Sequence, residues 1–157
     1  MAAMIVGGCA GLDTSIFGAT ATTGSVPDTP KMRVVESVPL VALKPLVGPP
    51  TPVTDRIVRS LNEVSVQRNI ALVTDASVST PASLTGYLVA RNEGRQIKLT
   101  YVWDMLRADG VRLERISGDE LFPVTAGDGD VWGSIPPTAY EAMSERVITA
   151  VGAVAPR

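Results

Sequence analysis

Few side chains in this sequence are arranged for catalysis. Histidine is absent from the 157 residues, so a Ser-His-Asp or Cys-His arrangement and a histidine-ligated zinc or iron site are excluded. Asp119 and Glu120 offer carboxylates, yet no second acid stands at a spacing that completes a pair for hydrolysis. Ser117, Ser134 and Lys98 lack the spacing of a nucleophile with its base. The sequence therefore predicts that the protein is not an enzyme.

Binding is the chemistry that remains. Asp104, Arg112, Arg115 and Trp132 combine charge with an indole, and together they could form a recognition patch for another protein. The alternative interpretation is structural. In that case Trp103 lies in the core, and Asp104 is paired with Arg112 or Arg115 across a hairpin.

Composition narrows the class of protein further. A chain of 157 residues is enough for one domain with its own core. The net charge of −2 gives no electrostatic footprint for nucleic acid. Residues 127–130, Gly-Asp-Gly-Asp, hold two carboxylates. A calcium loop needs more oxygen ligands and a distant Glu, so we interpret them as a solvated turn. We expect no metal, no other cofactor and no nucleic-acid partner.

The single cysteine, Cys9, follows an uncharged stretch that ends in Val6-Gly7-Gly8. This stretch resembles the lipobox of bacterial lipoproteins, in which an aliphatic residue and two small residues precede an acylated cysteine. The resemblance implies lipid attachment at Cys9. It also implies sorting to the outer membrane, because Ala10 and not Asp follows the cysteine. The alternative is a buried or incidental free thiol, which has no second cysteine for an intramolecular disulfide.

The first thirty residues are predicted to lie outside the folded domain. Residues 1–8 are too few for a signal peptide and lack a positively charged start. We interpret them as a signal-peptide remnant and expect the natural start to lie upstream. Residues 9–30 are rich in Gly, Thr, Ser, Ala and Pro, which predicts a flexible tether. Residues 31–157 are predicted to form a single domain.

The domain is organised around a predicted hairpin. In its first strand, residues 96–106, the odd-numbered residues are apolar and the even-numbered ones mostly polar, which predicts one buried face and one wet face. Asp-Gly at 109–110 supplies the turn. The second strand, residues 111–117, is irregular, which favours a sheet edge or a bulge. Residues 122–133 are predicted to be a loop. A strand at residues 84–91 completes a three-stranded meander.

Two further strands and two helices complete the fold prediction. Strands are predicted at residues 38–43, near an edge because of the prolines, and at residues 69–74, where the apolar run indicates burial. One helix is predicted to be capped by Thr54 and to end near residue 68. The second is predicted to follow a proline pair and to begin with a capping box at residues 138–141. This order predicts an α+β fold, a mostly antiparallel sheet of four or five strands with two helices on one face.

Several short motifs carry a resemblance that covers residues 40–153. They are Leu-Val-Gly-Pro-Pro at 46–50, Leu-Thr-Gly-Tyr-Leu-Val-Ala at 84–90, Tyr-Val-Trp-Asp at 101–104, Gly-Val-Arg at 110–112, Arg-Ile-Ser-Gly-Asp-Glu at 115–120 and Asp-Val-Trp at 130–132. Together they resemble a group of small uncharacterised lipoproteins from alphaproteobacteria, a resemblance that implies no particular activity. The layout is also similar to small periplasmic accessory lipoproteins that assist envelope transport or assembly.

Two functions are compatible with these predictions. The first is a lipid-anchored accessory or scaffold protein of the cell envelope, facing the periplasm from the outer membrane. Such a protein binds another envelope protein, for example by adding a strand to a free sheet edge. The alternative is a periplasmic domain that holds a lipid or glycan between helices and sheet. An exposed apolar edge or patch favours the first function, and a deep enclosed pocket favours the second.

Overall fold

The computed structural model describes residues 37–124 and 130–156, which belong to one compact unit. The predicted remnant and tether, the lipid-attachment candidate Cys9 and most of the Gly-Asp turn lie outside the described residues. In chain order the elements are β1 Leu40–Leu43, α1 Thr51–Gln67, β2 Ala71–Val73, β3 Ala82–Asn92, β4 Gln96–Arg107, β5 Arg112–Pro123 and α2 Pro137–Val154.

The strands form one sheet in the order β2-β1-β3-β4-β5. The three long strands β3, β4 and β5 are the predicted antiparallel meander. At the other side of the sheet, β1 runs parallel to both of its neighbours. β1 and β2 are parallel because α1 carries the chain from the end of β1 back to the start of β2. The prediction of an α+β fold with a mostly antiparallel sheet is confirmed.

The core lies between the sheet and the two helices, and β4 contributes five buried side chains to it. The odd-numbered residues of β4 from 97 to 105 are at most 1% exposed, which confirms the predicted alternation. Trp103 lies among them, opposite Gly86 of β3. A Cβ at position 86 would lie 2.5 Å from the indole. Because glycine has no Cβ, the Trp103 ring can lie flat against the neighbouring strand.

Both helices begin without the predicted side-chain caps. α1 begins at Thr51 with Pro50 as its N-cap, so the prediction of Thr54 as the cap is wrong. α2 is preceded by Pro136 as N-cap, and no side chain caps it, so Thr138 lies inside the helix and the predicted capping box is absent. Proline explains both starts, since its fixed φ suits the first turn and the N–H groups there have no intrahelical acceptor.

Two strands differ from their predicted form. β2 is a short, half-buried edge strand, whereas residues 69–74 were predicted to be a buried strand. β5 continues to Pro123, so the predicted loop begins too early. The long pairing with β4 satisfies the backbone of polar residues, which overrides their weak strand propensity. The predicted edge position and bulge of β5 are both confirmed, since β5 ends the sheet and its register shifts between Met105 and Leu106. Leu113, which lies at this bulge, packs on the core.

The described part of the chain offers no membrane-spanning helix and no metal cluster. Neither α1 nor α2 is long and apolar enough to cross a bilayer. Within the same residues, no three carboxylate or thiol groups come together as potential metal ligands.

Candidate interaction surface

The face of the sheet opposite the helices is formed by residues that point away from the core. We call it the open face. It comprises odd-numbered residues 85–91 of β3, even-numbered residues 98–106 of β4 and odd-numbered residues 115–121 of β5. Within residues 37–124 and 130–156, both helices lie on the other side of the sheet. Neither helix therefore covers the open face.

The centre of the open face is apolar. Tyr87 stands opposite Val102, and the β1–α1 connection adds Val47, which pairs with Tyr87. Val47 is 51% exposed, Tyr87 46% and Val89 45%. We call Val47, Tyr87, Val89 and Val102 the apolar patch. Large apolar side chains with half of their surface in water are typical of a site that another molecule covers.

An ion cluster lies on the open face beside this patch. Arg115 stands opposite Asp104 in the ladder, and its Nε and Nη2 donate to the two carboxylate oxygens at 2.7 Å each. Arg112 adds a contact from Nε to Asp104 Oδ1 at 3.2 Å. The hydrogen bond from Arg115 lowers the pKa of Asp104, which is therefore ionised at neutral pH. Two guanidinium groups against one carboxylate leave the cluster with a positive excess.

A second ion pair lies on the same face. Lys98 Nζ is 3.3 Å from Asp119 Oδ2. Hydrogen bonds from the Thr100 hydroxyl and from Lys98 lower the pKa of Asp119. Charged pairs therefore border the apolar patch on two sides, an arrangement with an apolar centre and a polar rim that resembles a protein–protein interface.

The structure brings together three of the four residues predicted for a recognition patch. Asp104, Arg112 and Arg115 form the ion cluster, whereas Trp132 lies elsewhere. The backbone N–H of Trp132 donates to Asp130 Oδ1 at 3.0 Å, and the backbone carbonyl oxygen of Trp132 accepts from the Tyr140 hydroxyl of α2 at 3.4 Å. Its side chain packs against the helix-side core. Trp132 is therefore a support for the start of α2 and not a member of the open face.

Sequence reasoning missed a polar cluster on the helix side of the sheet. Arg146 of α2 donates from Nη1 to the hydroxyl of the buried Tyr101 and lies 3.7 Å from Glu120 Oε1. A Cβ at Gly118 would lie 2.4 Å from the Tyr101 hydroxyl oxygen, so this glycine makes room for the phenol. Burial raises the pKa of Tyr101. The cluster ties α2 to β4 and β5, and its phenol stays protonated at neutral pH.

A surface cleft of about 330 Å³ lies between the two helices. Burial raises the pKa of Tyr140 at its base to about 12. The space between helices and sheet, where the alternative function places a lipid or glycan, is occupied by core side chains such as Trp103 and Met143. The cleft is lined by Arg56, Arg59, Ser60, Glu63, Pro137, Tyr140 and Glu141. Its charges are balanced, two arginines against two glutamates, so it has no preference for an anionic ligand.

Comparisons with known proteins concern the fold. No family model matches the sequence, and no curated protein matches it. An uncharacterized protein is similar over 72% of this chain and 92% of its own, with 7% identity and a TM-score of 0.56. A Xanthomonas campestris protein of the DUF330 family is similar over 74% and 85%, with 10% identity and a TM-score of 0.52. These two likenesses show a shared fold. A minor lipoprotein from Acinetobacter baumannii is similar over 74% and 94%, with 10% identity and a TM-score of 0.46.

Proposed function

We propose that this protein is a lipid-anchored accessory or scaffold protein of the cell envelope that binds another envelope protein through its open face. The observation that carries the proposal is the apolar patch bordered by ion pairs. Tyr87 and Val89 are nearly half exposed, and their ladder partners on β4 keep them in fixed positions. Preorganised aromatic and aliphatic side chains are the groups that contribute most to binding between proteins.

The ion cluster adds orientation to this surface. Both carboxylate oxygens of Asp104 are already in contact with Arg115 or Arg112. The polar groups that remain for a partner are the outer edges of the two half-exposed guanidinium groups. Arginine recognises carboxylates with a fixed geometry. The partner is therefore a protein that presents an apolar side chain beside one or more acidic residues.

The anchor is assigned from the sequence around Cys9. Val6-Gly7-Gly8 before the cysteine has the character of a lipobox, and residues 9–30 follow it as a tether. Such a tether reaches on the order of 70 Å when it is fully extended. This reach lets the open face meet a partner at a distance from the bilayer, on the periplasmic side of the outer membrane.

Replacing the cysteine tests the anchor. When the chain is expressed behind a complete lipoprotein signal peptide, the wild-type protein should fractionate with membranes. Cys9→Ala should appear in the periplasmic fraction, because Cys9 is the only cysteine that can be acylated. The thermal midpoint of the released variant should match that of the wild type. Equal membrane association of wild type and Cys9→Ala would contradict the anchor, and Ser15→Ala serves as a control for substitution in the tether.

Partner capture tests the open face. Val89→Asp places a charge in the apolar patch and should reduce photo-crosslinking of the partner in intact membranes by about tenfold or more. Val66→Asp is a matched control, because Val66 is an exposed valine, 77% accessible, on α1. Both variants need a thermal midpoint close to that of the wild type. If Val66→Asp abolishes capture and Val89→Asp does not, the partner binds the helical side and the proposal is wrong.

A further inference from the structure

β5 is a long strand at the end of the sheet. It runs from Arg112 to Pro123 and pairs on one side with β4, and in the described ranges no strand pairs with its other side. An edge of this length presents a row of unpaired backbone groups, which is a template for another strand. The bulge at one end and Pro123 at the other confine the regular edge to the residues between them.

The backbone hydrogen bonds show which residues of β5 point outward. In an antiparallel pair, the N–H and C=O groups of one residue point to the neighbour and those of the next residue point away. The Val124 N–H donates to the Arg95 carbonyl oxygen at 3.1 Å, so the even-numbered residues of β5 bond to β4. The outward residues are therefore Arg115, Ser117, Asp119 and Leu121, and all of them are exposed.

We propose that two copies of this chain pair through β5 in an antiparallel, two-fold symmetric arrangement centred on Ser117. In this register Ser117 faces its own copy, and Arg115 of each chain faces Asp119 of the other. All three positions belong to the outward-pointing set, so the pairing forms regular ladder hydrogen bonds. The two five-stranded sheets become one continuous sheet with the helices of both copies on the same side.

Charge complementarity selects this register. A shift by one ladder step toward Pro123 places Arg115 opposite Leu121 and Ser117 opposite Asp119, which leaves every charge facing a neutral residue. Centring on Ser117 instead forms two cross-strand ion pairs, and opposite charges directly across a ladder are stabilising. Arg115 would then lie between Asp104 of its own chain, 2.7 Å away, and Asp119 of the other chain.

The same register has one unfavourable contact on the helix side. Glu114 of each chain faces Glu120 of the other, and like charges directly across a ladder are destabilising. Arg146 lies 3.7 Å from Glu120 and offsets this repulsion. Removal of the Glu114 charge should therefore strengthen the pairing, so Glu114→Gln should increase the association constant.

Complementary charge reversals test the pairing. Sedimentation equilibrium of the full chain, with a reductant to keep Cys9 as a thiol, should show a monomer–dimer equilibrium below about 100 µM. Arg115→Asp and Asp119→Arg should each weaken self-association by about tenfold or more, because each places two pairs of like charges across the interface. An equimolar mixture of the two variants should associate as the wild type does, since both ion pairs form again in the heterodimer.

The mixing experiment distinguishes ion pairs that Arg115 and Asp119 form between two chains from those that they form within one chain. Loss of the ion pairs with Asp104 and Lys98 affects each variant alone, and mixing does not restore those contacts. Arg59→Asp, an exposed charge reversal on α1, and Val89→Asp should leave self-association unchanged. The proposal is overturned if the wild type stays monomeric at about 100 µM, or if the mixed variants associate no better than either one alone.

Discussion

Replacement of Trp103 by alanine is expected to lower the free energy of unfolding by about 3–5 kcal/mol. The side chain is fully buried at the middle of β4, and it rests on Gly86 of the neighbouring strand. Truncation would leave a void over a glycine, which has no side chain to fill it. Because a domain has about 5–15 kcal/mol in total, urea unfolding of the variant should show a large fall in the midpoint with little change in slope.

Asp104→Ala is the matched control for Trp103→Ala. It removes the adjacent side chain on the open face, where Asp104 pairs with exposed arginines, and it should cost about 1 kcal/mol or less. The two substitutions compare the stability contribution of a core side chain with that of a surface side chain at adjacent positions. If Asp104→Ala proved the more damaging to stability, the register of β4 would have to shift by one residue and every facing assigned to it would invert.

The central meander could be predicted because its sequence pattern and its environment agree. β4 is buried on one face and wet on the other, so the alternation of Ile97, Leu99 and Tyr101 with polar residues records the burial directly. The turn could be predicted as well, because Gly110 adopts a φ of 86° that few other residues tolerate. Local propensity, pattern and turn chemistry all favour the same structure there.

The helix starts and the smaller strands could not be predicted in this way. Thr54 and Thr138 have the chemistry of capping residues, yet prolines upstream of both begin the helices earlier. The parallel position of β1 between β2 and β3 depends on how α1 returns the chain, and no residue in β1 encodes it. Strand order is a property of the whole chain and not of a local window.

The candidate surface was only partly visible in the sequence. Asp104 was predicted to pair with Arg112 or Arg115 across a hairpin, and the structure pairs it with both. Trp132 was assigned with them on residue type alone, and the structure places it beside Tyr140 of α2. Val47 was missed because its position on the open face depends on a pairing with Tyr87, forty residues away. Contacts of this kind leave no periodic signal in the sequence.

Replacement of Gly48 by alanine should be about as damaging as truncation of the core tryptophan. Gly48 lies in the connection from β1 to α1 and adopts a φ of 110°, where a side chain is strained. A Cβ there would also lie 1.9 Å from the carbonyl oxygen of Leu88, a backbone atom that no rotamer change can move. The connection is held on β3 by two hydrogen bonds, from Val47 N–H to Gly86 and from Leu88 N–H to Val47, both 2.9 Å long.

Relief of this clash requires the connection to move away from β3 and break those hydrogen bonds. Backbone strain of about 1–2 kcal/mol and about 1 kcal/mol for each lost hydrogen bond predict that Gly48→Ala lowers the free energy of unfolding by about 3 kcal/mol or more. Gly110→Ala is the matched control, since Gly110 also has a positive φ of 86° but nothing lies within 4 Å of its added Cβ. It should cost only the strain, about 1–2 kcal/mol. Equal losses for the two variants in urea unfolding would mean that strain alone acts at both sites and that the connection does not lie against Leu88.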